Sequence, residues 1–177
     1  MRKVEVVLHN SMWQEMFEDE SKDVANALGD NVIAVYHIGS TAIPHIYAKP
    51  IIDLLIEVKD ILKVDEQSLE METLGYQVMG GFGISGRRFF LKNNQEGVRT
   101  HHIHIFEVGS AQIERHLAFR DYLIAHPEDA QRYSDLKYKL AIEYPTDIDA
   151  YMDGKNSFIQ AIDQKAAQWW INLLEDN

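Results

Sequence analysis

The segment Ile51-Ile-Asp-Leu-Leu-Ile-Glu-Val58 constrains this chain more than any other. Six of its eight residues are apolar and they do not alternate with polar ones, which is the pattern of a strand covered on both faces. Such a strand sits inside a sheet with layers on either side. Two carboxylates interrupt the run, and the first, Asp53, lies deep within the apolar stretch, where a charge is costly unless it is paired, hydrogen-bonded or metal-bound. On residue type alone it reads equally as a ligand or base, or as one half of an ion pair with Lys49 or an arginine.

The flanking pattern predicts a mixed α+β chain. Asn10 or Ser11 caps a first helix, on which Trp13, Phe17, Val24 and Leu28 share a face before Gly29 stops it. Residues 31–38 are rich in β-branched and aromatic side chains and predict a strand ending at Gly39-Ser40. Residues 41–50 carry two prolines and read as a loop or short helix. A helix is expected over 65–74, a short strand over 76–79, and a glycine-rich mobile loop over 80–86. Residues 87–92 and 100–107 flank Asn-Asn-Gln-Glu-Gly and predict a hairpin. Beyond Ser110, a cap, the pattern is helical. His126-Pro127 separates two helices, and Thr146 caps a long last one on which Tyr151, Phe158, Ile162, Trp169 and Leu173 recur. The expectation is one domain over 1–177, a small mixed sheet with helices packed mainly on one side.

Seventeen basic residues against 28 acidic ones give a formal charge of −11. That field repels a polyphosphate backbone and no basic stripe offsets it, so non-specific nucleic-acid binding is not expected. A small phosphorylated ligand needs only a few local cations and amides. The chain has no cysteine, which removes disulfides, thiolate nucleophiles and cysteine-held metal. No apolar run approaches the ~20 residues of a membrane span, and the amino-terminal run is too short for a secretory signal; a cytoplasmic location is the expectation.

The chemistry gathers at two places. A Gly39-Ser40 turn after a strand bares amides that, with a hydroxyl, cradle phosphate, and Lys49-Pro50 then leads into Asp53. On the second hairpin strand His102 and His104 alternate onto one face while His101 takes the other. His37 precedes the Gly-Ser turn. If these strands are neighbours, His37, Asp53, His102 and His104 form a mixed histidine and carboxylate set suited to zinc or another transition metal; a hydrogen-bonded polar pocket and plain sheet structure are the competing readings. Arg87 and Arg88 follow the glycine loop, and one of them is placed to cover an anion. Arg120 and Asp121, as helix neighbours, are expected to find partners elsewhere.

The blocks His37-Ile-Gly-Ser-Thr-Ala-Ile-Pro44, Ala48-Lys-Pro-Ile-Ile-Asp53, Leu74-Gly-Tyr76, His102-Ile-His104, Leu117-Ala-Phe-Arg-Asp-Tyr-Leu123 with His126-Pro127, and Leu136-Lys137 resemble the signature of the GrpB family. They run in order from about Trp13 to Phe158. His45 departs from the pattern, since the family usually has glycine after that proline. The resemblance implies a nucleotidyltransferase-like fold, whose working members hold two metal ions with acids two apart on one strand and a third on a neighbour. Asp53 matches the first acid, but Leu55 stands where the second belongs. Glu57 lies on that face roughly 13 Å away at strand rise, too far to share an ion.

The resulting expectation is a protein that binds a nucleotide or related phosphorylated small molecule with magnesium, manganese or zinc. Transfer of a nucleotidyl or phosphoryl group is the reaction the fold implies. Asp53, Lys49 and His104 are the candidate catalytic groups. Gly39, Ser40, Thr41, Arg88, Lys137 and Lys155 are the candidate phosphate contacts, the two lysines by resemblance. Asp53, His37, His102 and His104 are the candidate metal ligands. A non-catalytic binding or regulatory module, favoured by Leu55, and a metal-dependent hydrolase built on the histidine and aspartate cluster are the alternatives.

Overall fold

The apolar run forms β2 (Ile52–Val58), second in a five-stranded sheet ordered β1-β2-β5-β4-β3, with β1 Val32–Ile38, β3 Tyr76–Val78, β4 Arg88–Asn93 and β5 Arg99–Glu107. The computed structural model describes residues 3–177; the start of the amino-terminal run, residues 1 and 2, lies outside the described residues. β2 and β5 are parallel and every other pairing is antiparallel, so the sheet is mixed. The chain leaves β2 and returns to β5 through two short helices, β3 and β4, the long crossover that parallel neighbours require.

Strand parity divides the sheet into two unlike faces. Ile52, Leu54, Ile56 and Val58 meet Ile103, Ile105 and Phe90 on the first face. Helix α1 (Met12–Leu28) covers them with Trp13, Val24 and Leu28, helped by Val64 and Met71. These side chains are nearly all sealed from water, and each is worth about 1.5–3 kcal/mol in burial. On the second face Leu55 packs with Ile38, Phe106 and Ile113, but the neighbouring end of that face stays open.

The C-terminal helices α4 (Ala111–Ala125), α5 (Pro127–Glu143) and α6 (Ile148–Glu175) pack chiefly on one another. Their joint core of Ala118, Leu123, Tyr133 and Ile162 receives Ile43 and Ile46 from the loop after β1. Only α4 meets the second face of the sheet closely, through Ile113 and Leu117. The C-terminal helices therefore rise beside the open end of that face and form a wall there.

Local chemistry corrects several sequence expectations. Asn10 caps α1 by accepting the Met12 amide at 2.9 Å, while the Ser11 side chain makes no cap bond. The helix expected over 65–74 is two short ones, α2 Ile61–Glu66 and α3 Ser68–Thr73, because Asp60 caps the first and Gln67 breaks helical geometry between them. Asp147, and not Thr146, caps α6 by accepting the Ala150 amide at 3.0 Å. Arg120 does meet its neighbour: its Nε donates to Asp121 at 2.8 Å while Nη1 donates to the His37 carbonyl at 3.1 Å. A long guanidinium can fold back where two backbone-anchored Cβ atoms cannot face each other. Leu173 is exposed, since α6 runs past the core it packs against.

Candidate functional site

The open end of the second face is floored by Asp53, His102 and His104. The parallel register sets Asp53 beside His102 and Leu55 beside His104, so strand alternation brings all of these onto one surface. His104 Nε2 lies 3.2 Å from Asp53 Oδ1, and His102 Nδ1 lies 3.4 Å from the same oxygen. One donor-type atom from each of the three lies within 4.8 Å of the others. Each imidazole is also engaged at its far nitrogen: Arg99 Nη1 meets His102 Nε2 at 3.0 Å, and Arg87 Nη1 meets His104 Nδ1 at 3.3 Å. Burial works to raise the Asp53 carboxyl, but hydrogen bonds from the two histidines, joined by their charge whenever a ring is protonated, outweigh it and hold the group below the usual carboxylate range.

The other oxygen of Asp53 faces the turn. Gly39 sits at φ 74 and ψ −172, a region open only to glycine. A β-carbon there would lie 2.7 Å from Asp53 Oδ2. The residues after it make a single 3-10 turn, Ser40–Ala42. Within it, Thr41 Oγ1 lies 2.9 Å from His37 Nε2 and donates to the Ile51 carbonyl at 3.2 Å, which ties the turn to the start of β2.

Above this floor stands a cavity of about 640 Å³ walled by Ser40, Thr41 and Lys49 on one side, Phe82, Phe89 and Arg99 on another, and Lys137, Tyr151 and Lys155 from the helices. A second hollow of about 480 Å³ adjoins it, sharing Lys49, Ile51, Arg99 and Ile148. Lys49 and Lys155 both lie over the Tyr151 ring, 4.5 and 5.0 Å from its centre, a cation–π arrangement that fixes two ammonium groups in one wall.

Lys137 is the unusual member. It is 1% exposed, and its ammonium has no hydrogen-bond partner; only the Tyr133 ring, 4.4 Å from the nitrogen, attends it. Burial, together with the charges of Lys155 and Lys49, pushes its pKa down to about 6. Burial takes Lys155 down to about 8 against the pull of Asp53. The Tyr151 hydroxyl, also buried, likewise lacks a partner. Buried polar atoms are nearly always satisfied in folded proteins, so two orphaned ones in a single cavity wall mark a place shaped for something else.

The structure brings Asp53, His102, His104, Ser40, Thr41, Lys49, Lys137 and Lys155 together around this cavity, with Gly39 beneath. His37 and Arg88 do not join them. His37 opposes Leu54 in the β1–β2 register and so points to the first face, where it stacks on Phe17 with ring centres 4.9 Å apart. Burial carries its pKa down to about 4, with Arg120 adding to the effect and Asp53 opposing it. Arg88 opposes Ile105, turns to the same first face and pairs with Asp65 at 2.7 Å. Arg87, one residue earlier, takes the site-facing position. Sequence reasoning also passed over Arg99, Tyr133 and Tyr151. Parity with Phe89 was the available sign for Arg87; nothing in the sequence marked Tyr133 or Tyr151 as part of a site.

The mixed sheet, with an acid on its second strand beside a Gly-Ser turn, has a nucleotidyltransferase-like fold. Structural comparison agrees. Cid1, a poly(U) polymerase solved in complex with its short product ApU, superposes with a TM-score of 0.52 at 9% identity, over 77% of this chain and 42% of that one, a likeness of fold alone. Within that class the chain belongs to the GrpB family, whose model (GrpB protein) matches residues 3–165. A crystal structure of the conserved protein GrpB from Enterococcus faecalis is 44% identical, with a TM-score of 0.89 over 94% of this chain and 99% of that one. The UPF0157 protein YqkA of Bacillus subtilis (strain 168) is 46% identical over 95% of this chain. The chain spans only about half of that relative, 48% of its length. Among the described residues no helix is long and apolar enough to cross a membrane.

Proposed function

We propose that the cavity above Asp53 binds a nucleotide or a related phosphorylated small molecule. The observation that carries this reading is the orphaned, buried amino group of Lys137. Charging that group out of water without a partner is costly, which is why its pKa falls, and a phosphoryl oxygen would supply both an acceptor and the opposite charge that let it take up its proton. Lys49, Lys155 and Arg99 line the same space and add positive charge to its walls. A chain of net charge −11 concentrates cations there against its mean field. The amides and hydroxyls of the turn at Ser40 and Thr41 are of the kind that cradle phosphate.

The donor chemistry also fits a magnesium or manganese ion that arrives with the phosphates. Such an ion is commonly held by one or two carboxylates plus the ligand's own oxygens, and Asp53 is the carboxylate available. When bound, it would neutralise phosphate charge. Among the described residues no second carboxylate joins Asp53 in a group that could hold an ion. Leu55, at 0% exposure, is packed with Ile38 and Phe106, and the site-facing positions of β5 are His102, His104 and Phe106. Leu55 therefore favours binding without the two-ion transfer chemistry of the wider fold class, and hydrolysis at the histidine and aspartate cluster rests on donor type and spacing alone.

Differential scanning fluorimetry with inorganic pyrophosphate and nucleoside mono-, di- and triphosphates, each with and without magnesium, tests the reading. A ligand at a hundred times its dissociation constant stabilises by about 2.7 kcal/mol, and Lys137→Met is expected to abolish that shift. No shift with pyrophosphate or any nucleotide overturns the proposal. Turnover of a nucleoside triphosphate that Asp53→Asn abolishes would restore the transfer reading.

A further inference from the structure

Arg87 and Arg99 each end on the imidazole nitrogen that faces away from Asp53. A guanidinium carries five N–H donors and no acceptor, and it keeps its charge throughout the range in which proteins are folded. The nitrogens it meets, His102 Nε2 at 3.0 Å and His104 Nδ1 at 3.3 Å, must then be bare acceptors. A neutral imidazole carries its single proton on the other nitrogen. His102 therefore bears its proton on Nδ1 and His104 on Nε2, the two atoms that approach Asp53 Oδ1 at 3.4 and 3.2 Å.

A metal-ligating histidine has the reverse arrangement. The nitrogen toward the metal is bare, and the remote N–H donates to a carboxylate, a carbonyl or water. Here the remote position is occupied by a donor, so ligation through the Asp53-facing nitrogens would set N–H against N–H. We propose that Arg87 and Arg99 are positioning residues that fix the tautomers of His104 and His102. They hold both rings as N–H donors to Asp53 and keep zinc and similar transition cations off the imidazoles until an arginine is displaced.

The two locks differ in how they can be released. Arg99 lines the cavity, its Nε donating to Asn93 at 2.8 Å, so an anion bound there competes for it. Arg87 is 8% exposed, donates to the carbonyls of Gly81 and Phe82 at 3.2 and 2.9 Å, and lies 4.7 Å from the centre of the Phe89 ring. Its lock is part of the glycine-rich loop. The proposal goes beyond the phosphate-binding reading and stands or falls whether or not a phosphorylated ligand binds.

Long-range 1H–15N correlation spectra of the imidazoles in the ligand-free protein test it directly. The expected pattern is a protonated Nδ1 on His102 and a protonated Nε2 on His104; the opposite tautomers, or protonation of both nitrogens, overturn the proposal. Zinc titration by calorimetry gives the second measurement. Arg99→Met should release the His102 tautomer and tighten zinc about tenfold or more, the size of effect that outer-shell partners exert. Unchanged or weaker zinc binding in a folded variant overturns the exclusion. Should the variant fail to fold, the wild-type tautomers still decide. Failure of pyrophosphate to bind would sink the phosphate reading and leave this one intact.

Discussion

Gly39, at the turn just past β1, lies so close to Asp53 of β2 that a single methyl group on the glycine would stand 2.7 Å from the carboxylate oxygen Oδ2. The turn and the acid are one unit, because the space the glycine leaves empty is the space Asp53 fills. Gly39→Ala adds both that overlap and an unfavourable backbone, since φ is 74. The loss expected is about 1–3 kcal/mol, read as a lower urea midpoint with an unchanged m-value. Stability equal to wild type would mean that Asp53 moves freely, against the geometry above.

Asp53→Asn removes the charge that accepts from His102 and His104. At neutral pH we expect a loss of about 1–3 kcal/mol. The sign with pH follows from the carboxyl being held below its ordinary value of 3.8. Its stabilisation is complete above that value and drains away as pH falls below it. The gap between wild type and variant should therefore narrow in acid; a gap that widens below pH 4 contradicts the arrangement.

Lys137 behaves in the opposite sense. Its amino group is pushed from 10.5 to about 6, so between these values the unfolded chain binds more protons and the native state gains stability as pH rises. Lys137→Met should raise the melting temperature most at pH 6 and below, with the advantage shrinking toward pH 10. An advantage independent of pH, or a destabilised variant at pH 6, would refute a buried, orphaned ammonium.

His45 lies at φ 68 and is exposed. An L-residue there costs about 1–2 kcal/mol relative to the ordinary helical region, part of which glycine gives back through its freer unfolded chain. His45→Gly is expected to stabilise by about 0.5–1 kcal/mol, measured by equilibrium urea unfolding. A destabilised variant would show that the ring makes a contact worth more than the strain. At the position where the family resemblance implies a glycine, the backbone takes a conformation that favours glycine.

Much of the site was legible in the chain because strand alternation is a local rule. It set His102 and His104 on one side and His101 on the other, and it made Asp53 the exception within an apolar run. The same rule fails once the question is which side of the sheet a given strand turns. His37 and Arg88 looked as well placed as their neighbours, yet pairing with Leu54 and Ile105 sends both to the first face. Arg87 then occupies the position expected of Arg88.

By itself the sequence determined the mixed sheet, its doubly covered strand, the helix faces and the family, since these follow from periodicity, capping chemistry and motif order over short distances. Only the tertiary structure decided that Lys137 of α5 would be sealed in a cavity wall beside Tyr151 and Lys155 of α6, and that two arginines would stand behind the histidines. Those relations join residues far apart in the chain through strand register and helix packing. Register sums many weak contacts over the whole sheet, so no local pattern encodes it.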